Sequence, residues 1–180
     1  MTELHKKVDF GGGCFWCTEA VFRQLKGVLK VECGYSGGKV VNPTYIEVSQ
    51  GNTGHAEMVE ITYNPNEISF DDLLKIHLGT HNPTIEINEG MGWGSQYRSI
   101  IFYRTEEEKQ ISMAIIEEMQ NVFSNAILTD LQMFEHFYKA EHCHQDYYNR
   151  NPNGQFCQSV IEPKLSKVRG LYKDRLKHVN

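Results

Sequence analysis

The nine residues Gly11-Gly12-Gly13-Cys14-Phe15-Trp16-Cys17-Thr18-Glu19 constrain this chain more than any other stretch. Before them, Val8-Asp9-Phe10 alternates like the end of a strand; after them, Ala20, Val21, Phe22 and Leu25 recur as a helix face. Three glycines at that junction let the backbone turn tightly and approach another group closely. The spacing puts Cys14 in the first turn of the helix. There, unpaired N–H groups and the positive end of the helix dipole favour thiolate, the nucleophilic form. Cys17 completes a C-x-x-C pair around the large apolar residues Phe15 and Trp16. On spacing alone the pair reads as a redox or nucleophilic centre, as half of a zinc site, or as two packed core cysteines.

A chain of 180 residues suits a single domain, here 1–180, with a core over roughly 5–134 and a wrapping tail over roughly 135–180. A net charge of −5 argues against general nucleic-acid binding, which needs a basic face. No apolar run is long enough to span a membrane. The stretch Met1–Lys7 lacks the apolar segment of a signal peptide, so the expected compartment is cytoplasmic. Five cysteines cannot all pair internally, and in a reducing compartment such thiols are catalytic, metal-binding or buried.

Residues 5–10 read as a strand, 14–26 as a helix and 28–35 as a second strand. A Gly-, Asn-, Pro- and Ser-rich loop over about 36–54 follows, of a length that is usually functional. Ala56–Tyr63 alternates as a strand, and Ser69 caps a helix whose face is Phe70, Leu73, Leu74, His77 and Leu78, with His77 read as a core histidine. A second irregular loop covers 81–96, and 99–103 is a strand. Thr105-Glu106-Glu107-Glu108 reads as a capping box opening a helix with face Ile111, Ala114, Ile115, Met119 and Val122. Ala126–Met133 forms a further strand. The β-α-β-β-α-β order to residue 104 predicts an α+β fold: a two-layer sandwich with a ferredoxin-like split β-α-β core. A long, largely irregular C-terminal extension follows, with short helices near 140–149 and 161–176.

Several of these stretches also carry a family likeness. Gly13-Cys14-Phe15-Trp16 with Glu19, Gly34-Tyr35-Ser36-Gly37-Gly38, Asn42-Pro43-Thr44-Tyr45 through Gly54-His55-Ala56-Glu57, and Gly94-Ser95-Gln96-Tyr97-Arg98-Ser99 occur in order. Phe137–Glu141, His144-Gln145 and Asn151-Pro152-Asn153 complete the set. Together they resemble the peptide methionine sulfoxide reductase A family over nearly the whole chain. The resemblance implies reduction of the S-epimer of methionine sulfoxide, free or in oxidised proteins, as a repair reaction. It implies Cys14 as nucleophile and Glu57 as the acid that protonates the departing oxygen, with Tyr45 and Tyr97 as further donors. Phe15 and Trp16 are then the apolar socket for the S-methyl group. Oxygen transfer leaves Cys14 as a sulfenic acid, which condenses with a second thiol. Cys157 matches the family's C-terminal recycling cysteine and is expected to resolve the sulfenic acid first, since a tail thiol can swing onto the site, with Cys17 as its near-neighbour rival. Thioredoxin, or dithiothreitol in its place, is the implied reductant, with no metal and no organic cofactor. The protein is expected to act as a monomer.

Three positions depart from the family pattern. Gly92 and Asn82 stand where Asp is usual, and Ser49 where Cys is often found. Two other readings were weighed. Cys14, Cys17 and Cys157 with His142, Cys143 or His144 could make a structural zinc site. Cys14-Phe15-Trp16-Cys17 could also serve a general thiol–disulfide oxidoreductase, although such an enzyme needs neither Glu57 nor Tyr45.

Overall fold

A computed structural model describes residues 4–88 and 94–178. Its frame is one six-stranded sheet in the order β5-β4-β1-β3-β2-β6. The strands are β1 (Lys6–Gly11), β2 (Val28–Ser36), β3 (Ala56–Tyr63), β4 (Ile100–Tyr103), β5 (Asp130–Met133) and β6 (Tyr138–Lys139). The four central strands, β4-β1-β3-β2, pair antiparallel throughout, which is the ferredoxin-like arrangement expected from the element order. β5 adds parallel to β4 at one edge, and β6 adds antiparallel to β2 at the other. The tail was expected to be irregular where β6 forms. Two residues of strand are too few to show a period, and their pairing partner lies about a hundred residues away.

Period-two alternation divides the sheet into two faces. Val8, Phe10, Val31, Cys33, Val59, Ile61 and Ile101 join the main core beneath the helices. On the other face Ala56, Met58, Ile100 and Phe102 pack under Phe134 and Phe137. Beside them lies an ionic layer in which Lys7 meets Glu60, Arg104 meets Asp9, and Lys30 and Lys139 share Glu32. Within β3 the same alternation turns Glu57 inward with Val59 and Ile61, toward the helices.

The helices are α1 (Phe15–Arg23), α2 (Tyr45–Ser49), α3 (Phe70–Gly79), α4 (Glu106–Gln120), α5 (Tyr147–Arg150) and α6 (Glu162–Leu171). Ser69 and Asp72 form the reciprocal cap of α3. His77 is buried, stacked on Phe10 at 4.6 Å between centroids, with Nε2 3.1 Å from the Gly11 carbonyl. The cap of α4 is only half a box. Thr105 Oγ1 accepts from the Glu108 N–H, but the Glu108 carboxylate accepts from the Arg104 N–H instead of returning to Thr105. The face of α4 also differs from expectation: Ser112 and Ile115 are buried, while Ala114 and Val122 are exposed. Ser112 is tolerated inside because its hydroxyl donates to the Glu108 carbonyl at 2.7 Å. The loop over 36–54 is not wholly irregular, because α2 forms within it behind a Thr44–Glu47 capping box. None of the described helices is long and apolar enough to cross a membrane.

Candidate active site

Cys14 is the N-cap of α1 and not part of its first turn, with extended backbone and its carbonyl accepting from the Cys17 N–H at 3.1 Å. The glycines before it hold that position. Gly13 adopts φ +75° and donates its N–H to the Tyr97 carbonyl at 3.0 Å. A Cβ on Gly12 would lie 2.6 Å from the His81 ring. That ring is fixed by Nδ1 at 2.5 Å from the His77 carbonyl and Nε2 at 2.7 Å from Ser99 Oγ. Strand end, helix start, His81 and the turn Ser95–Tyr97 are thereby locked to one another.

Glu57 reaches the same helix start from β3. Its Oε1 accepts from the Phe15 N–H at 3.1 Å, satisfying one of the open donors of α1. It is only 2% exposed, and burial pushes its pKa up to about 7, against the Phe15 bond. Tyr45, the first residue of α2, and Tyr97 both feel the Glu57 and Cys14 charges. Burial first, and then Glu57, raise both phenols, Tyr45 to about 12, so each keeps a proton to donate. The sequence-predicted quartet is therefore assembled in one place.

The Cys14 thiol is not held as thiolate. The hydrogen bond shared with Cys17, burial, and the Glu57 charge all raise its pKa, and they outweigh the helix N-terminus. The hydrogen bond from Cys14 lowers Cys17 to about 7, with Lys164 helping, in spite of burial.

A cavity of about 460 Å³ opens here, lined by Cys14, Trp16, Cys17, Tyr45, Tyr97 and Phe156 among others. Phe15 and Glu57 do not line it. Phe15 is buried behind Cys14 against Tyr35 and Tyr45, at 5.8 and 6.2 Å between centroids, so of the expected socket pair only Trp16 faces the cavity. The remaining wall comes from His81, Asn82, Ile85, Ile87 and Ser99 on one side and from Phe156, Val160 and Lys164 of the tail on the other, and further tail residues hold the Trp16 ring. Tyr147 stacks on Trp16 at 3.8 Å, Trp16 Nε1–H donates to His144 Nδ1 at 3.2 Å, and Phe156 meets the indole edge-on. Sequence reasoning missed Tyr147, Phe156, His81 and Lys164, and weighed His144 only as a metal ligand. The one available signal was the matched His144-Gln145 stretch.

Three polar side chains explain how the tail is anchored. Gln145 exchanges hydrogen bonds with the Cys33 backbone, both at 2.9 Å, as a strand residue would. Glu19, beneath α1, accepts from the Asp146 N–H at 2.7 Å. Glu141 accepts from the Tyr35 hydroxyl and the Tyr45 N–H, both at 3.0 Å. Cys157 sits fully buried in a π-helical turn, Cys157–Ile161, packed against α1 and within the field of Cys17. Cys33 is buried and Cys143 exposed. Among the described residues no three His, Cys, Asp or Glu side chains are placed to hold a metal ion.

Of the departures, Asn82 Oδ1 accepts from both the N–H and hydroxyl of Thr84, and Ser49 donates to the Ile46 carbonyl. Gly92 lies outside the described residues.

A cysteine at a glycine-shaped helix start, a buried carboxyl of raised pKa behind it and an aromatic cavity in front define a thiol-dependent oxidoreductase. Residues 6–176 match the family model for peptide methionine sulfoxide reductase, and the chain belongs to that family. It is 48% identical to the peptide methionine sulfoxide reductase MsrA of Sulfolobus acidocaldarius over 92% of this chain and 94% of that one. It is also 48% identical to the MsrA of Deinococcus radiodurans, over 93% and 82% respectively. Reduced Mxr1 of Saccharomyces cerevisiae superimposes with a TM-score of 0.79 at 30% identity, covering 87% of this chain and 91% of Mxr1. Mxr1 has also been solved in complex with Trx2.

Proposed function

We propose that this enzyme reduces methionine S-sulfoxide by direct attack of Cys14 on sulfur, with Glu57 as the proton donor to oxygen. The observation that carries the reading is a nearly neutral carboxyl held against the helix start that bears the thiol. The S-methyl group enters the cavity against Trp16, with Tyr147, His144 and Phe156 behind it. Tyr45 and Tyr97 donate to the sulfoxide oxygen, and Glu57, whose Oε2 is not engaged by Phe15, supplies the proton. Protonating the oxygen builds positive charge on the substrate sulfur beside Cys14, which favours thiolate at the moment it is needed. The Cys14 thiol proton passes to the vacated Glu57 carboxylate as a bond forms from Cys14 Sγ to sulfur; the hydroxyl then passes to Cys14, and methionine leaves with Cys14 oxidised to sulfenic acid.

The thiol hydrogen-bonded to Cys14 is that of Cys17, and that bond lowers the Cys17 pKa. Cys17 thiolate therefore attacks the sulfenic sulfur first, releasing water and forming a Cys14–Cys17 disulfide. Cys157, within the field of Cys17, attacks the Cys17 sulfur next and frees Cys14. An external dithiol reduces the final Cys17–Cys157 bridge; the Mxr1–Trx2 complex supports thioredoxin in that role. The chemistry requires no metal and no organic cofactor.

The test is dithiothreitol-driven turnover of each sulfoxide epimer by wild type and Cys14→Ser. The S-epimer is reduced and the R-epimer is not, and Cys14→Ser is inactive with an unchanged circular dichroism spectrum. Near-wild-type activity in that variant would overturn the assignment.

A further inference from the structure

A second cavity, of about 710 Å³, adjoins the first and shares His81, Asn82 and Lys164 with it. It runs between the end of α3, the residues following α4 and one face of α6, as far as Leu171, which is 63% exposed. Lys164 and Leu171 are seven positions apart. At 1.5 Å per residue that is about 10 Å of helix. The same length takes about three residues of extended chain at ~3.3 Å each.

The lining of this groove holds two lysines and no carboxylate. Lys7, Lys30, Lys75 and Lys139 each hold a glutamate within 3.0 Å. Lys164 and Lys167 both line the groove and share a face of α6, and among the described residues no carboxylate pairs with either. On a chain of net charge −5, two adjacent cations are thus left open to a ligand. Asn82, whose Oδ1 accepts from Thr84, also lines the groove.

We propose that this groove is the subsite for the polypeptide flanking the oxidised methionine, and that it selects acidic residues within about three positions on one side. The proposal rests on the sulfoxide-reductase reading of the adjoining cavity. Continuity of the two cavities puts the flanking chain in the groove once the sulfoxide is seated. Lys164 and Lys167 then meet side-chain carboxylates there. Exposed lysine–carboxylate pairs contribute modestly, so two of them correspond to a roughly three- to ten-fold preference.

The experiment measures steady-state kcat and KM at low salt for blocked peptides with a central methionine sulfoxide. Each carries three Asp or three Lys on its N-terminal or C-terminal side, and N-acetylmethionine sulfoxide amide is the flank-free control. One Asp peptide should show a KM several-fold below its Lys counterpart with similar kcat. The gap should narrow at high salt and shrink several-fold in Lys167→Glu. Equal KM values for Asp and Lys peptides in wild type, with the control still reduced, would overturn the groove and leave the activity standing. So would a preference untouched by Lys167→Glu. Failure to reduce even the control would overturn the reductase reading itself, and the groove with it.

Discussion

Glu57 carries the pH dependence of the proposed chemistry. Its pKa is raised to about 7, so the proton it donates is present below that pH and lost as pH rises through it. The single-turnover rate should therefore fall above pH 7, and Glu57→Gln should abolish that limb. The variant keeps a hydrogen-bond donor but has no proton to release, so its rate should drop on the order of 10²–10⁴-fold with less effect on binding. A pH–rate profile of both forms checks this, and an unchanged rate would make Glu57 structural. The two resolving thiols are separated by a second measurement. After one equivalent of sulfoxide, mass spectrometry of Cys157→Ser should find the Cys14–Cys17 bridge. In Cys17→Ser the sulfenic acid should persist, because the thiol hydrogen-bonded to Cys14 is gone. A prompt Cys14–Cys157 bridge in that variant would place Cys157 first, which is the order the resemblance alone suggests.

The link between β1 and α1 depends on two glycines for different reasons. Gly13 has φ +75° with no atom near a prospective Cβ, so Gly13→Ala adds backbone strain alone, about 1–2 kcal/mol. Gly12→Ala drives a methyl into a His81 ring that is bonded at both nitrogens, so it should cost more and also displace Cys14. Urea unfolding of both variants, with turnover measured alongside, tests the order; equal costs would mean that His81 gives way freely. α5 and the turns around it are held by what they touch and not by their own propensity. The four residues Tyr147–Arg150 are too short to persist alone, and they sit where Glu19, Gln145 and the Trp16 ring place them.

Across the whole molecule, two buried carboxyls on opposite faces of the sheet shape stability. Asp9 is fully buried and lies 2.5 Å from the Arg104 guanidinium, yet neither of its oxygens receives an aligned hydrogen bond. Burial therefore outweighs Arg104, and with Glu60 adding charge repulsion the pKa rises to about 7, as it does for Glu57. Both groups hold protons in the folded state that the unfolded chain releases above about pH 4. Stability should decline as pH rises from about 4 to 7 and level off above, by up to a few kcal/mol for each group. Asp9→Asn should flatten about half of that slope in denaturant titrations across pH. An undiminished slope would mean that Asp9 is ionised in the folded protein and paired with Arg104.

Local pattern alone was enough for much of this protein. Glycine-rich turn, apolar helix face and alternating strands gave β1, α1, β2, β3, α3 and β4 to within a few residues, and their order implied the sheet. The reactive stretch was legible because Cys14 sits where a strand must turn into a helix. Even α2 was announced by Thr44 and Glu47 at capping-box spacing, although the surrounding glycines and asparagines obscured it. Tertiary structure alone decided what the tail does. Phe156 becomes cavity wall, and Tyr147 and His144 come to hold the Trp16 ring, only because Glu19, Glu141 and Gln145 tie the chain back across more than a hundred residues. No local period encodes such a contact. It also decided the protonation of the site: a cysteine at a helix start favours thiolate, but the shared hydrogen bond with Cys17, burial and Glu57 reverse that. Those neighbours come together only when strand, helix and tail are packed.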